Sequence, residues 1–254
     1  MKPTVLLPVV TTAALLAIWE ALSGSGALPP EMPPVTDIAA WLWAGLGTAG
    51  LWTAIAQTLA HWALALLAGV VLGAVAGAAM AAIPVVNELL LGTVEFFRPI
   101  PVVVYLPIML LLLGATSEVV VTLAALGALW PMLLQTFYGV QDVDPVSRDT
   151  ARVFGLTPVQ RLLWVTAPSV LPYFSTGVRI ASTITLLVAI AMELLGAVPG
   201  LGNTLGTYAA NGLYAATYGS IVVAGLLGVL LNAAFERLER RALTWHASHR
   251  HRIA

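Results

Sequence analysis

The chain has 254 residues, of which 59% are hydrophobic and only 9% charged, and its formal net charge is −1. That balance excludes a nucleic-acid binder, which needs a cationic excess, and it supplies far more apolar surface than a soluble core requires. There is no cysteine, so neither a disulfide nor a thiolate ligand is available and redox chemistry does not reveal the compartment.

The first long apolar run, at 5–22, is read as a membrane span. Lys2 before it and the small residues of SGSGA after it also fit a signal peptide, but retention is the favoured reading. Further spans are expected at about 59–83, 101–113, 119–137, 178–198 and 221–235, making six crossings. The third is irregular: Arg98, Pro99, Pro101 and Pro107 crowd its start, and Phe96 and Phe97 can extend it. No polar block is large enough to fold separately. The expected fold is an all-α polytopic membrane protein forming a single domain over 1–254. It has an extra N-terminal helix at about 4–22, a core at about 52–240 and a basic tail at about 237–254.

Along the second span, Gly69, Gly73 and Gly77 recur every four residues and share one helical face. That is the small-residue device for close helix contact in membranes. An internal contact is the favoured reading, with a contact between chains as the alternative.

The segment 144–172 interrupts the apolar pattern. Asp144 can cap a helix, Pro145 suits its first turn and Gly155 can close it in the left-handed conformation. Thr157, Pro158 and Gln160 repeat the start signal as a capping box, and Pro168 is expected to end this second short helix. The first helix is too short to cross a hydrocarbon core of about 30 Å, and it carries Arg148, Asp149 and Arg152, so it lies outside the bilayer.

Further on, Glu193 is the one carboxylate well inside an expected span, where an ionised group needs water, a partner or a proton. With Gly196 it is the candidate for shaping a gate or lining a path. Ser182, Thr183 and Thr185 precede it; their hydroxyls either face a cavity or bond their own helix backbone. The run GLGNTLG at 200–206 lacks the lysine of a phosphate loop, and the chain's one lysine is Lys2, so this chain is not itself an ATPase. His246, His249 and His251 sit among Arg250 and Arg252 in the tail; a solvated basic tail is favoured over a metal site. With the N-terminus inside, all 11 Lys and Arg fall on or near the cytoplasmic side, which fixes the expected orientation with both termini cytoplasmic.

Asp149, Thr150 and Ala151, then Gly155, then Val165, Ala167 and Pro168 resemble the cytoplasmic EAA signature of binding-protein-dependent ABC importer permeases. Asp149 and Thr150 replace that family's first Glu and Ala, and Ala167 replaces its leucine. The resemblance extends to Thr58 and Leu59, EFFRPIPVVVYLPI at 95–108 and MELLGAVPGLGNTL at 192–205, and within the family it is similar to the nitrate, sulfonate and taurine type. His61 stands where that family often has arginine and is read simply as hydrogen-bonded structure.

The resemblance implies a non-enzymatic transmembrane permease in a bacterial inner membrane, with Arg148 to Gly155 as a coupling helix docking on a separate ATPase. It implies no cofactor on this chain, with ATP and Mg held by the ATPase subunits. The implied partners are an extracytoplasmic solute-binding protein, the lipid bilayer and a second permease chain, favouring a homodimer. The solute is expected in the nitrate, sulfonate and taurine group, with thiamine or riboflavin precursors as an alternative. A secondary transporter would need more intramembrane ionisable groups than Glu193 alone, and a membrane-embedded enzyme would need clustered catalytic groups.

Overall fold

A computed structural model describes residues 3–242, and every regular element among them is helical. In chain order these are α1 (Pro3–Gly24), α2 (Val35–Gly45), α3 (Ala49–Ala82) and α4 (Pro84–Phe97). A 3-10 turn (Val102–Tyr105) then leads into α5 (Leu106–Leu113), followed by α6 (Ser117–Gln141), α7 (Pro145–Val153) and α8 (Pro158–Arg161). A π-helical turn (Leu162–Thr166) joins α8 to α9 (Ala167–Gly196), and α10 (Leu201–Ala210) and α11 (Tyr214–Ala242) complete the chain. The histidines at 246, 249 and 251 lie outside the described residues.

Three long helices, α3, α6 and α9, form the centre. Gly69 faces Ala125 and Ala128, Gly73 faces Leu129 and Met132, and Gly77 faces Leu133, so a Cβ at any of the three would overlap α6. The glycine stripe therefore brings two backbones together within one chain. Residue numbers rise together along both helices, so α3 and α6 run parallel. Helix α9 is antiparallel to both: Gly127 faces Val188 while Gly139 faces Tyr173, and the Trp62 indole donates to the Ser182 carbonyl at 3.1 Å.

Parallel packing of α3 and α6 requires the chain to return across the bundle between Ala82 and Ser117. Among the described residues five helical runs are long and apolar enough to span a membrane, and the sixth crossing falls to α4 with the 102–113 stretch, bent by 88°. The third crossing thus begins at Pro84, well before the expected 101. Pro99 and Pro101 interrupt it because neither can donate a backbone hydrogen bond. Val102, Tyr105, Met109 and Leu110 then pack on the core of Val119, Leu123, Val188 and Met192.

The expected stop at Pro168 is not observed. From Pro158 to Gly196 the chain forms one run of 39 residues. Proline removes an N–H and its ring crowds the carbonyl four residues back, and the wider π turn at Leu162–Thr166 accommodates both, with the Ala167 N–H reaching the Leu162 carbonyl. The run is about 58 Å long, twice a hydrocarbon core, so one end projects beyond it. Two helices, α2 and α10, lie between the expected spans. α1 stands at the periphery, tied by the Trp19–Tyr218 ring pair at 5.5 Å and by Glu20 accepting from Thr36.

Candidate functional site

Local chemistry builds α7 as a rigid unit. The Asp144 carboxylate accepts from the Val146 and Ser147 amides at 3.1 Å each and from the Ser147 hydroxyl at 2.8 Å. The Ser147 hydroxyl, then those amides, hold the Asp144 carboxyl below the usual carboxylate range. At the other end Gly155 has φ +71°, and the Leu156 amide reaches back to the Ala151 carbonyl, closing the helix as only a residue without Cβ does comfortably. Thr157 and Gln160 then form a reciprocal capping box at the start of α8.

Ala151 is buried and seats α7 on the bundle, while the Arg148 guanidinium donates to the Val140 carbonyl at the end of α6. Val146, Val153 and Phe154 point away, at 71%, 85% and 78% exposure, and Asp149 and Thr150 are exposed with them. Asp149 pairs with Arg152 at 2.9 Å.

At the opposite end of the bundle, four elements converge on Glu193. Its carboxylate is fully buried and accepts from the Thr58 hydroxyl at 2.8 Å and the Gly202 amide at 3.0 Å, with His61 Nδ1 at 2.9 Å. The other imidazole nitrogen, Nε2, lies 2.9 Å from the Ser117 hydroxyl at the start of α6. Thr58 accepts in turn from the Leu201 amide at 2.9 Å. Glu193 and Thr58 therefore serve the orphan amides of the first turn of α10, where a negative group is favoured. Gly200 and Gly202 are required here because a Cβ on either would overlap Glu193 or the backbone of α9.

The structure thus brings Glu193 together with His61, and it gives Thr58, Ser117, Gly200 and Gly202 parts that sequence reasoning did not assign. The glycine-rich run at 200–206 is the available signal: sequence reasoning sets it against a phosphate loop and rejects that role for want of a lysine, without reading it as a carboxylate-capped helix start. Gly196 is buried near Val198, Leu106 and Leu110. The hydroxyls of Thr183 and Thr185 bond the carbonyls of Arg179 and Ala181 in their own helix. Ser182 is buried beside a cavity of about 440 Å³ between α9 and α11. Among the described residues no group of three or more His, Asp or Glu converges as a metal site.

The sequence matches the family described as binding-protein-dependent transport system inner membrane component over residues 69–243. It is 31% identical to the taurine transport system permease protein TauC of Escherichia coli, covering 95% of this chain and 90% of that one. It is 29% identical to the nitrate import permease protein NrtB of Leptolyngbya laminosa, covering 86% and 81%. A putative aliphatic sulfonates transport permease protein, SsuC of Bacillus subtilis, is 27% identical over 93% and 86%. The fold is similar to a chain of the methionine ABC transporter MetNI in an inward-facing conformation, with a TM-score of 0.66, 21% identity and coverage of 80% of this chain and 96% of that one. The chain belongs to the binding-protein-dependent transport system inner membrane component family and is a multi-pass permease subunit of an ABC importer.

Proposed function

We propose that this permease forms half of a two-chain solute path, with a second copy supplying the other half, and that separate cytoplasmic ATPase subunits drive it through α7. The observation that carries this reading is the outward face of α7. A helix capped at both ends and anchored by Ala151 holds Val146, Val153 and Phe154 out to solvent, which suits docking into a groove on a partner. Asp149 and Thr150 belong to the docking face. Arg148 and Ala151 hold the helix to the bundle, Arg152 pairs with Asp149 along the helix, Gly155 sets its end, and Pro168 lies where motion of the segment passes into α9. ATP and Mg belong to the ATPase, and an extracytoplasmic binding protein delivers the solute.

Glu193 and Gly196 shape the outer end of the path by fixing α9 to α3 and α10, with Ser182 and Thr185 on the same buried face of α9. The solute is a small oxyanion or organic sulfonate, by analogy with relatives named for taurine, nitrate and aliphatic sulfonates.

ATP hydrolysis by the complex reconstituted with its ATPase and binding protein tests the coupling reading. Asp149→Arg is expected to lower binding-protein-stimulated hydrolysis at least about tenfold, the cost of one misplaced charge at a docked surface. Full stimulation in that variant would remove α7 from the coupling route. Uptake of taurine and nitrate by the same proteoliposomes tests the solute class, and uptake of neither overturns it.

A further inference from the structure

Beside α7 is a cavity of about 400 Å³ whose walls include Arg148 and Arg152, Arg161 of α8, and the small residues Ala78, Ala81 and Ala82 at the end of α3. Three arginines line it. Arg148 spends a donor on the Val140 carbonyl and Arg152 pairs with Asp149, whereas the Nε of Arg161 is buried with no hydrogen-bond partner. Elsewhere, Arg179 faces Glu239 at 3.7 Å and Arg240 faces Glu236 at 2.6 Å. The cavity wall therefore carries a local cationic excess, and beside it the Arg161 Nε is a buried donor without an acceptor, a costly arrangement.

The guanidinium fork matches the oxygens of a phosphate, and clustered arginines favour such a group. The surroundings distinguish a lipid phosphate from a free one. Val159, Leu162, Leu163 and Trp164 follow Thr157 on the same helical run, and each is more than half exposed. Tryptophan beside exposed aliphatic side chains suits the membrane boundary, and basic pockets between helices on the cytoplasmic side suit anionic headgroups.

We propose that this cavity binds the phosphate of an anionic phospholipid from the cytoplasmic leaflet, whose acyl chains lie along Val159, Leu162, Leu163 and Trp164. The inference rests on the cytoplasmic placement of α7 in the reading above. A lipid held there touches the ends of α3 and α6, α7 and the π turn together, and so braces the helix assigned to coupling.

The test is native mass spectrometry of the full-length permease, purified in mild detergent with equal phosphatidylglycerol and phosphatidylcholine. The wild type is expected to retain phosphatidylglycerol preferentially. Arg161→Gln should lose about fivefold of that preference and Arg161→Lys less, from the attraction typical of one basic residue. Arg240→Gln removes the same charge from an exposed ion pair and should change nothing. Equal retention of both lipids by the wild type overturns the proposal, as does an equal loss in Arg161→Gln and Arg240→Gln. Displacement by excess inorganic phosphate assigns the site to a free anion instead, and release of the lipid on adding the ATPase subunit assigns the arginines to that partner; either result also overturns it. Lipid binding by the permease alone needs no ATPase, so this test and the hydrolysis test fail independently.

Discussion

Glu193 shows how one buried carboxylate organises its surroundings. Removing it leaves the Thr58 hydroxyl, the Gly202 amide and His61 without their shared acceptor. Breaking a buried pair of this kind costs about 3–5 kcal/mol, so Glu193→Ala should lower the apparent melting midpoint in detergent by roughly 10 °C. Glu193→Gln should lower it less, because the amide keeps one acceptor oxygen. An unchanged midpoint for Glu193→Ala would show that the network contributes little. Asp144 acts at the surface and in the opposite pH sense to a histidine. Its carboxyl is held low by the Ser147 hydroxyl and the Val146 and Ser147 amides, so its stabilisation of α7 is fully present above the unfolded value of about 3.9 and is lost as pH falls through the lowered native one. A spin label at Val153 should keep its neutral-pH spectrum down to about pH 5 and gain mobility only below about pH 3.9, whereas Asp144→Asn should abolish the acid-dependent change. Loosening already at pH 5 would assign the transition to another group.

The contact between α3 and α6 depends on backbones meeting. Gly77 is the most demanding position, since an added Cβ would overlap the Leu133 carbonyl and also lie 3.1 Å from the Phe137 amide nitrogen. Gly77→Val should therefore separate the helices at a cost of several kcal/mol, read as loss of protease-resistant protein in the membrane. Gly50→Val, at a position with open space around it, should leave the yield unchanged. The start of α10 obeys the same logic through a side chain, because Gly200 has φ +155° and its missing Cβ leaves room for the Glu193 carboxylate. Glycine spacing made the first contact legible in the sequence. The second was not, since it joins Thr58, Glu193 and Gly202, which are 135 and 9 residues apart along the chain.

Across the whole molecule, the parallel course of α3 and α6 makes the bent α4–α5 stretch a crossing. It follows that Ala115 lies on one side of the membrane and Ser147 on the other. Because the chain has no cysteine, single replacements at the exposed positions Ala115, Ser147 and Asn211 can be made in the native sequence. Ala115→Cys and Asn211→Cys should react with an impermeant maleimide in intact cells, and Ser147→Cys only after lysis. Labelling of Ser147→Cys in intact cells would reverse the orientation, and protection of Ala115→Cys would remove the crossing at 84–113.

By itself the sequence determined the membrane class, the approximate spans, the capped start and left-handed end of α7, and the family. These depend on local hydropathy, capping chemistry and residue spacing, all of which act within a few turns of chain. Tertiary structure alone decided the fate of Pro168, the bend before Val102, the helices α2 and α10 between the spans and the union of Glu193 with His61, Thr58 and α10. Proline has a strong local preference, but a long helix packed against α3 and α6 absorbs it in one π turn. A buried carboxylate, equally, is stable only where distant elements bring donors to it, and that arrangement exists only once the helices have packed.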